Sequence, residues 1–172
     1  MGPDTALLLR AVDAVQDAPD LEGVVNALAG VLRTRFDLWN VSACSLRTLA
    51  PNVEILASWS VAESVLGPGT EVSASITPYI TDLLEQASEG KAVHTAVGND
   101  PDSIIDFLLH QQGIRQATLQ TVNRDDSGMV FLVMGSGTDG LLSQTPPPFF
   151  AGLAAGIRPR VLEITDQRYP AR

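Results

Sequence analysis

Along this chain the spacing of apolar positions changes several times, and each change predicts an element. From Thr5 to Val15, the residues Ala6, Leu7, Leu8, Leu9, Ala11, Val12, Ala14 and Val15 leave few polar positions, the pattern of a helix buried on more than one face. At a chain terminus a partner subunit is one way to supply the second face. Pro19 and Asp20 punctuate. Leu21, Val24, Val25, Leu28 and Leu32 follow at helical spacing, which predicts an amphipathic helix over Asp20–Arg35 with Asp20 as its N-cap. After Asn40 the period falls to two. Val41–Leu49 and Val53–Ser60, joined by Ala50-Pro51-Asn52, predict an antiparallel hairpin whose second strand alternates Val53, Ile55, Ala57 and Trp59 with its other residues.

Gly67-Pro68-Gly69 marks a loop and Glu71–Ser73 a short extended piece. Ile76, Ile80, Leu83, Leu84 and Ala87 share a helical face that ends at Gly90. Lys91–Val97 reads as a strand. Asp100-Pro101 starts a helix carrying Ile104, Ile105, Leu108 and Leu109, and Gly113 ends it. Arg115–Val122 and the unbroken apolar Met129–Met134 are strands joined by the turn Asp125–Gly128, the second buried on both faces. Thr145 is the expected cap of a last helix. Along it Phe150, Leu153, Ile157, Val161 and Ile164 recur at three- and four-residue steps, the seam of a packed helix pair that Pro159 should bend or weaken. The expected fold is α+β: helices against a mainly antiparallel sheet.

Composition narrows the classes of role. A chain of 172 residues that is 45% hydrophobic and 18% charged is too apolar for disorder and long enough for one core. No apolar run approaches the roughly 20 residues of a membrane span, and no basic stretch precedes the first apolar run, so we expect a cytoplasmic protein without membrane association. Twenty acids against eleven bases give a net charge of −9, and Lys91 is the only lysine. Such a surface repels phosphate backbones, which argues against nucleic-acid binding. Two histidines and one cysteine leave little for a zinc site.

The ordered succession of motifs resembles a GAF domain, the small-molecule sensing and dimerising module of bacterial signalling proteins. Ser42–Leu49 with Val53–Ser60 is similar to the family's first hairpin. Leu83–Val93, containing Glu89-Gly90-Lys91-Ala92-Val93, resembles its "helix, then Gly-Lys-Pro-Val strand" element, with Ala92 at the proline position. Leu108–Thr121, containing Gly113-Ile114-Arg115, resembles its "Gly-Ile/Val-Arg-Ser, strand" element, and Met129–Gly135 with the helix Thr145–Ile164 completes the order. The likeness runs from about Leu7 to Ile164. It implies a central antiparallel sheet of five or six strands, with N- and C-terminal helices on one face and a pocket on the other. Residues 1–165 would form the sensor domain and 166–172 a flexible tail. The departures bear on function. Gly135-Ser136 stand where cyclic-nucleotide-binding members carry Asn-Lys. Leu119-Gln120-Thr121-Val122 replaces a Val-Pro-Leu-like strand end. Cys44 has no histidine neighbour of the kind found where bilins attach. One cysteine does not support the redox cycle of the methionine-sulfoxide-reducing members.

Candidate residues are weighed against that frame. Cys44 reads as a small buried hydrophobe. His94 lies on a strand that in this fold resembles a pocket wall; it is a hydrogen-bonded histidine, a contact to a carboxylate ligand, or an axial haem ligand. His110 sits near a helix C-terminus, where an imidazolium is favoured. Trp59 is a packing residue or an aromatic pocket wall. Thr77, Pro78 and Tyr79 open a helix whose free N–H groups suit an anion or are simply capped. Gln116, Thr118 and Gln120 line either a wet pocket or a plain solvent face. The expected ligand-binding set is Trp59, Tyr79, His94, Gln116 and Thr118. The expected dimer interface is Leu7, Leu8, Val12, Val15, Leu153, Ile157, Val161 and Ile164. The chain has no Gly-rich phosphate loop, no Ser-His-Asp order and no metal-spaced cluster. The reading is a non-enzymatic regulatory sensor without metal or cofactor, which binds an unidentified small molecule, signals through a helical homodimer, and serves a DNA-binding or kinase effector in the same or a partner chain. The alternatives are a ligand-free interaction module, a methionine sulfoxide reductase and a haem-based sensor.

Overall fold

The computed structural model describes residues 2–47, 52–61, 67–73, 84–99 and 104–168. Helix α1 (Pro3–Val15) starts on a proline, whose missing N–H has no intrahelical partner to lose there. Helix α2 (Leu21–Phe36) is capped as expected: the Asp20 side chain accepts from Gly23 N at 2.8 Å. It ends abruptly because Asp37 takes the left-handed conformation (φ 49°), which asparagine and aspartate tolerate best among side-chain-bearing residues. The Asp37 carboxylate accepts from the Thr138 hydroxyl at 2.7 Å, and the Ser136 hydroxyl donates to Phe36 O at 2.6 Å. The chain therefore turns directly into a strand, three residues before the hydrophobic alternation suggested.

The strands are β1 (Leu38–Arg47), β2 (Asn52–Ser60), β3 (Glu71–Ser73), β4 (Val93–Ala96), β5 (Gln116–Asp125) and β6 (Gly128–Ser136). They form one sheet in the order β3-β2-β1-β6-β5-β4, with every neighbouring pair antiparallel. Between the strands lie α3, helical over residues 84–87, and α4 (Ile104–Gln111). The expected helix start at Asp100-Pro101 and most of the helix from Ile76 lie outside the described residues.

Helix α5 (Pro147–Arg168) closes the chain, running through Pro159 and three residues past the expected onset of the tail. Pro159 is exposed, so the backbone bond it forfeits faces water. Thr145 does not cap α5 as expected; its hydroxyl donates back to Leu141 O at 2.9 Å.

The sheet separates two cores. On one face, which we call the helix face, α1, α2 and α5 lay Leu28, Phe36, Phe150, Leu153 and Ile157 onto Val41, Ala43, Ala57, Leu132 and Met134. Each such side chain contributes about 1.5–3 kcal/mol on full burial. On the distal face Cys44, Ile55, Leu119, Met129 and Phe131 meet Leu84 and Ala87 of α3. Three β5 side chains tie the end of α3 and the turn after it down by donating to their carbonyls: Thr121 Oγ1 to Ala87 O at 2.6 Å, Arg124 to Ser88 O at 2.9 Å, and Gln120 Nε2 to Gly90 O at 3.2 Å. These groups satisfy the carbonyls that a helix C-terminus leaves without intrahelical donors.

Candidate functional site

Strand alternation decides which side chains each face receives. In β1 and β2, Val41, Ala43, Ala57 and Trp59 point to the helix face. Their alternates Asn40, Ser42, Ser58 and Ser60 therefore meet on the distal face, where Asn40 pairs with Ser60 and Ser42 with Ser58 across the ladder. Asn40 Nδ2 donates to Ser58 Oγ at 3.2 Å, Ser60 Oγ at 3.0 Å and Trp59 O at 3.1 Å. The Ser42 hydroxyl donates to Asn40 Oδ1 at 3.1 Å and lies 3.1 Å from Ser58 Oγ. Asn40 and Ser42 are only 6% and 5% exposed. Burying an amide and hydroxyls costs several kcal/mol unless each is bonded, and here each is. The network carries no formal charge. It offers donors and acceptors to a ligand that exchanges hydrogen bonds, and no group for proton transfer. The signal in the sequence was the alternation of Asn40, Ser42, Ser58 and Ser60 with apolar residues. It marks them as a set but does not say which face is covered.

Of the expected ligand-binding residues, the structure brings three together, on the helix face rather than opposite it. Thr118 (β5) and His94 (β4) are ladder partners, with His94 Nδ1 and Thr118 Oγ1 2.7 Å apart. The His94 ring stands edge-on to Phe150 of α5, centroids 5.5 Å apart. Burial holds the His94 imidazole below its ordinary pKa of 6.5. Gln116 is buried against the loop before α5, donating to Ser143 Oγ at 2.9 Å and accepting from Ser143 N at 3.2 Å. Neither Thr118 nor Gln116 reaches the distal face, because their alternates Ala117 and Leu119 occupy it. Trp59 is likewise on the helix face, apart from that trio, with the Arg33 guanidinium 5.4 Å over its ring. Tyr79 lies outside the described residues.

The expected dimer seam also needs correction. Val15, Leu153, Ile157, Val161 and Ile164 are all at most 5% exposed within a single chain, in the core between α1, α2 and α5. A side chain without accessible surface has none to give a second copy. Leu7, Leu8 and Val12 are half-buried, and Leu9 beside them is 54% exposed. The seam is real, but it joins α1 to α5 of the same molecule.

Cys44 stands on the distal face two residues beyond Ser42, and burial pushes its thiol up to about 12. The group is neutral at physiological pH, whereas the nucleophile and the metal ligand are both the thiolate. Among the described residues no three His, Cys, Asp or Glu side chains are placed to share a metal ion. Nor is any described helix long and apolar enough to cross a membrane.

No protein-family model and no curated protein sequence matches the chain. Solved structures do. The GAF domain of an Acinetobacter phosphoenolpyruvate-protein phosphotransferase superposes with a TM-score of 0.66 at 11% identity, over 98% of both chains. The chain has the GAF fold. The free methionine-R-sulfoxide reductase of Neisseria meningitidis, solved with its substrate, superposes with a TM-score of 0.67 at 17% identity, over 95% of this chain and 91% of that one. The chromophore-binding domain of an unusual bacteriophytochrome from R. palustris gives 0.64 at 10% identity; 95% of this chain spans 62% of that domain.

Proposed function

We propose that this GAF-fold chain is a sensor domain: it takes a small molecule on the distal face, over Asn40, Ser42, Ser58 and Ser60, and passes the event to α1 and α5 on the other. The buried uncharged network carries the reading, since it sets amide and hydroxyl groups where packing alone would favour apolar residues. The ligand is one that exchanges hydrogen bonds with uncharged partners. Chromophore binding by the bacteriophytochrome neighbour supports the use of this fold for ligand capture. The route of transmission runs through a few hydrogen bonds. Occupancy of the distal face shifts α3, which three β5 side chains hold by its carbonyls; β5 in turn is bonded to α5 by Arg158 Nε to Val122 O at 2.8 Å and to the loop before it by Gln116. A ligand favouring one packing of these elements shifts their population. Within that reading the domain is non-enzymatic and cytoplasmic, a second copy packs on the open part of α1, and a DNA-binding or kinase domain receives the signal.

A metabolite screen by thermal shift tests this. A ligand at a hundred times its Kd stabilises by about 2.7 kcal/mol. Ser60→Ala and Asn40→Leu should reduce that shift, while His94→Gln, on the helix face, should leave it. Ligands whose shift ignores both distal variants would overturn the site.

A second reading has one observation in its favour: the distal network satisfies itself, Asn40 and Ser42 already having partners. On that reading the chain is a dimerisation module with a face filled by its own side chains. Native mass spectrometry of the purified protein separates the two, because a co-purified ligand mass supports sensing.

A further inference from the structure

A cleft of about 670 Å³ opens at the hairpin end of the sheet, between the last turns of α5 and strands β1, β2 and β6. Its apolar lining includes Leu56, Val130 and Leu162, all half-buried, the first two on the helix face just beyond the main core. Among the described residues, four carboxylates, Glu54, Asp125, Asp126 and Asp166, and one guanidinium, Arg47, stand around them. Asp125 keeps its charge well into acid, because the Ser127 hydroxyl at 2.6 Å and Ser127 N at 2.9 Å both donate to it and hold its carboxyl below the usual range.

We propose that this cleft docks a basic amphipathic segment of a partner protein, its apolar side chains on Leu56, Val130 and Leu162 and its lysines or arginines against the carboxylate rim. Charge selects this occupant. An acidic segment or an anionic lipid surface would face like charge on the rim, and a neutral apolar one would gain nothing from the rim's net negative charge. Exposed carboxylates add little affinity singly, so the apolar floor supplies the binding and the rim supplies selectivity and register. The proposal is independent of whether Asn40, Ser42, Ser58 and Ser60 take a small molecule, since none of the four lines this cleft and its floor residues Leu56 and Val130 belong to the helix face.

The probe is a labelled synthetic amphipathic helix of leucine and lysine, titrated by fluorescence anisotropy into the full chain at about 0.15 M salt, where surface charges beyond about 8 Å are screened. Two controls keep the leucine count: one replaces lysine with glutamate, the other scrambles the lysine peptide so that no apolar face forms. The lysine helix should bind at least about tenfold tighter than either control. Leu162→Gln and the double variant Glu54→Gln/Asp166→Asn should each weaken it several-fold, while Asp13→Asn/Asp17→Asn, remote on α1 and the turn after it, should not. Equal binding of the scrambled peptide, equal loss in the α1 variant, or no binding at all overturns the proposal. Backbone amide shifts on the unmutated protein give a readout that needs no variant: movement at Val130 and Leu162 is expected, and shifts confined to other elements would contradict the site.

Discussion

At the scale of single residues, two titratable side chains show what burial does to chemistry. A thiol pushed up to about 12 is ionised to about one part in ten thousand at pH 8, so Cys44 should resist iodoacetamide in the folded protein and react once denaturant opens the sheet. Mass spectrometry of the alkylated chain checks it; rapid labelling without denaturant would contradict the buried placement. His94 makes a pH prediction. Its folded pKa is lowered, so the unfolded chain binds the proton more readily, and stability is full above about 6.5 and falls as pH drops below it. Urea midpoints near pH 7.5 and pH 5.5 should therefore differ more in the native protein than in His94→Gln. Cys44 already read as a small buried hydrophobe in the sequence, whereas the lowered pKa of His94 was not readable there. Cys44 and His94 each sit on an alternating strand, but which of the two cores receives them depends on neighbours far along the chain.

At the scale of elements, glycine in a helix separates propensity from packing. Gly30 in α2 has nothing within 4 Å of where a Cβ would stand, whereas a Cβ on Gly156 would meet Val12 Cγ2 at 2.5 Å and one on Gly152 would meet Leu8 Cδ2 at 2.9 Å. Glycine costs a helix interior about 0.5–1 kcal/mol relative to alanine, so Gly30→Ala should stabilise by roughly that amount. Gly156→Ala gains the same propensity and should still lose about 1–3 kcal/mol by forcing α1 off α5. Thermal melts of the two variants in opposite directions are the expected result; a stabilised Gly156→Ala would mean that α1 sits further from α5. The elements themselves were largely legible, because their periods of 3.6 and two are local properties. Boundaries were not. β1 starts at Leu38 because Asp37 adopts a left-handed turn that Ser136 and Thr138 hold from the far end of the chain.

At the scale of the whole molecule, the α1–α5 seam belongs to the single chain, and the surface left for a second copy is small: Leu9 with the half-buried Leu7, Leu8 and Val12. If dimerisation uses this patch, Leu9→Glu should leave the unfolding free energy within about 0.5 kcal/mol of native while abolishing concentration-dependent association in light scattering. A dimer undisturbed by Leu9→Glu would place the interface elsewhere. The candidate ligand set divided at this scale too. Gln116 and Thr118 share one strand face, as their spacing suggested, and the β4–β5 ladder adds His94; all three lie on the α5 side, and the distal network comes from short polar side chains on β1 and β2.

By itself the sequence determined the helices, the strands, their antiparallel succession and the resemblance to the GAF fold, because turn chemistry and hydrophobic period act between residues close in the chain. Only the tertiary structure decided which side of each strand became which face. A one-residue change of register moves every side chain across the sheet, and that register is set by pairings such as Asn40 with Gly135, nearly a hundred residues apart.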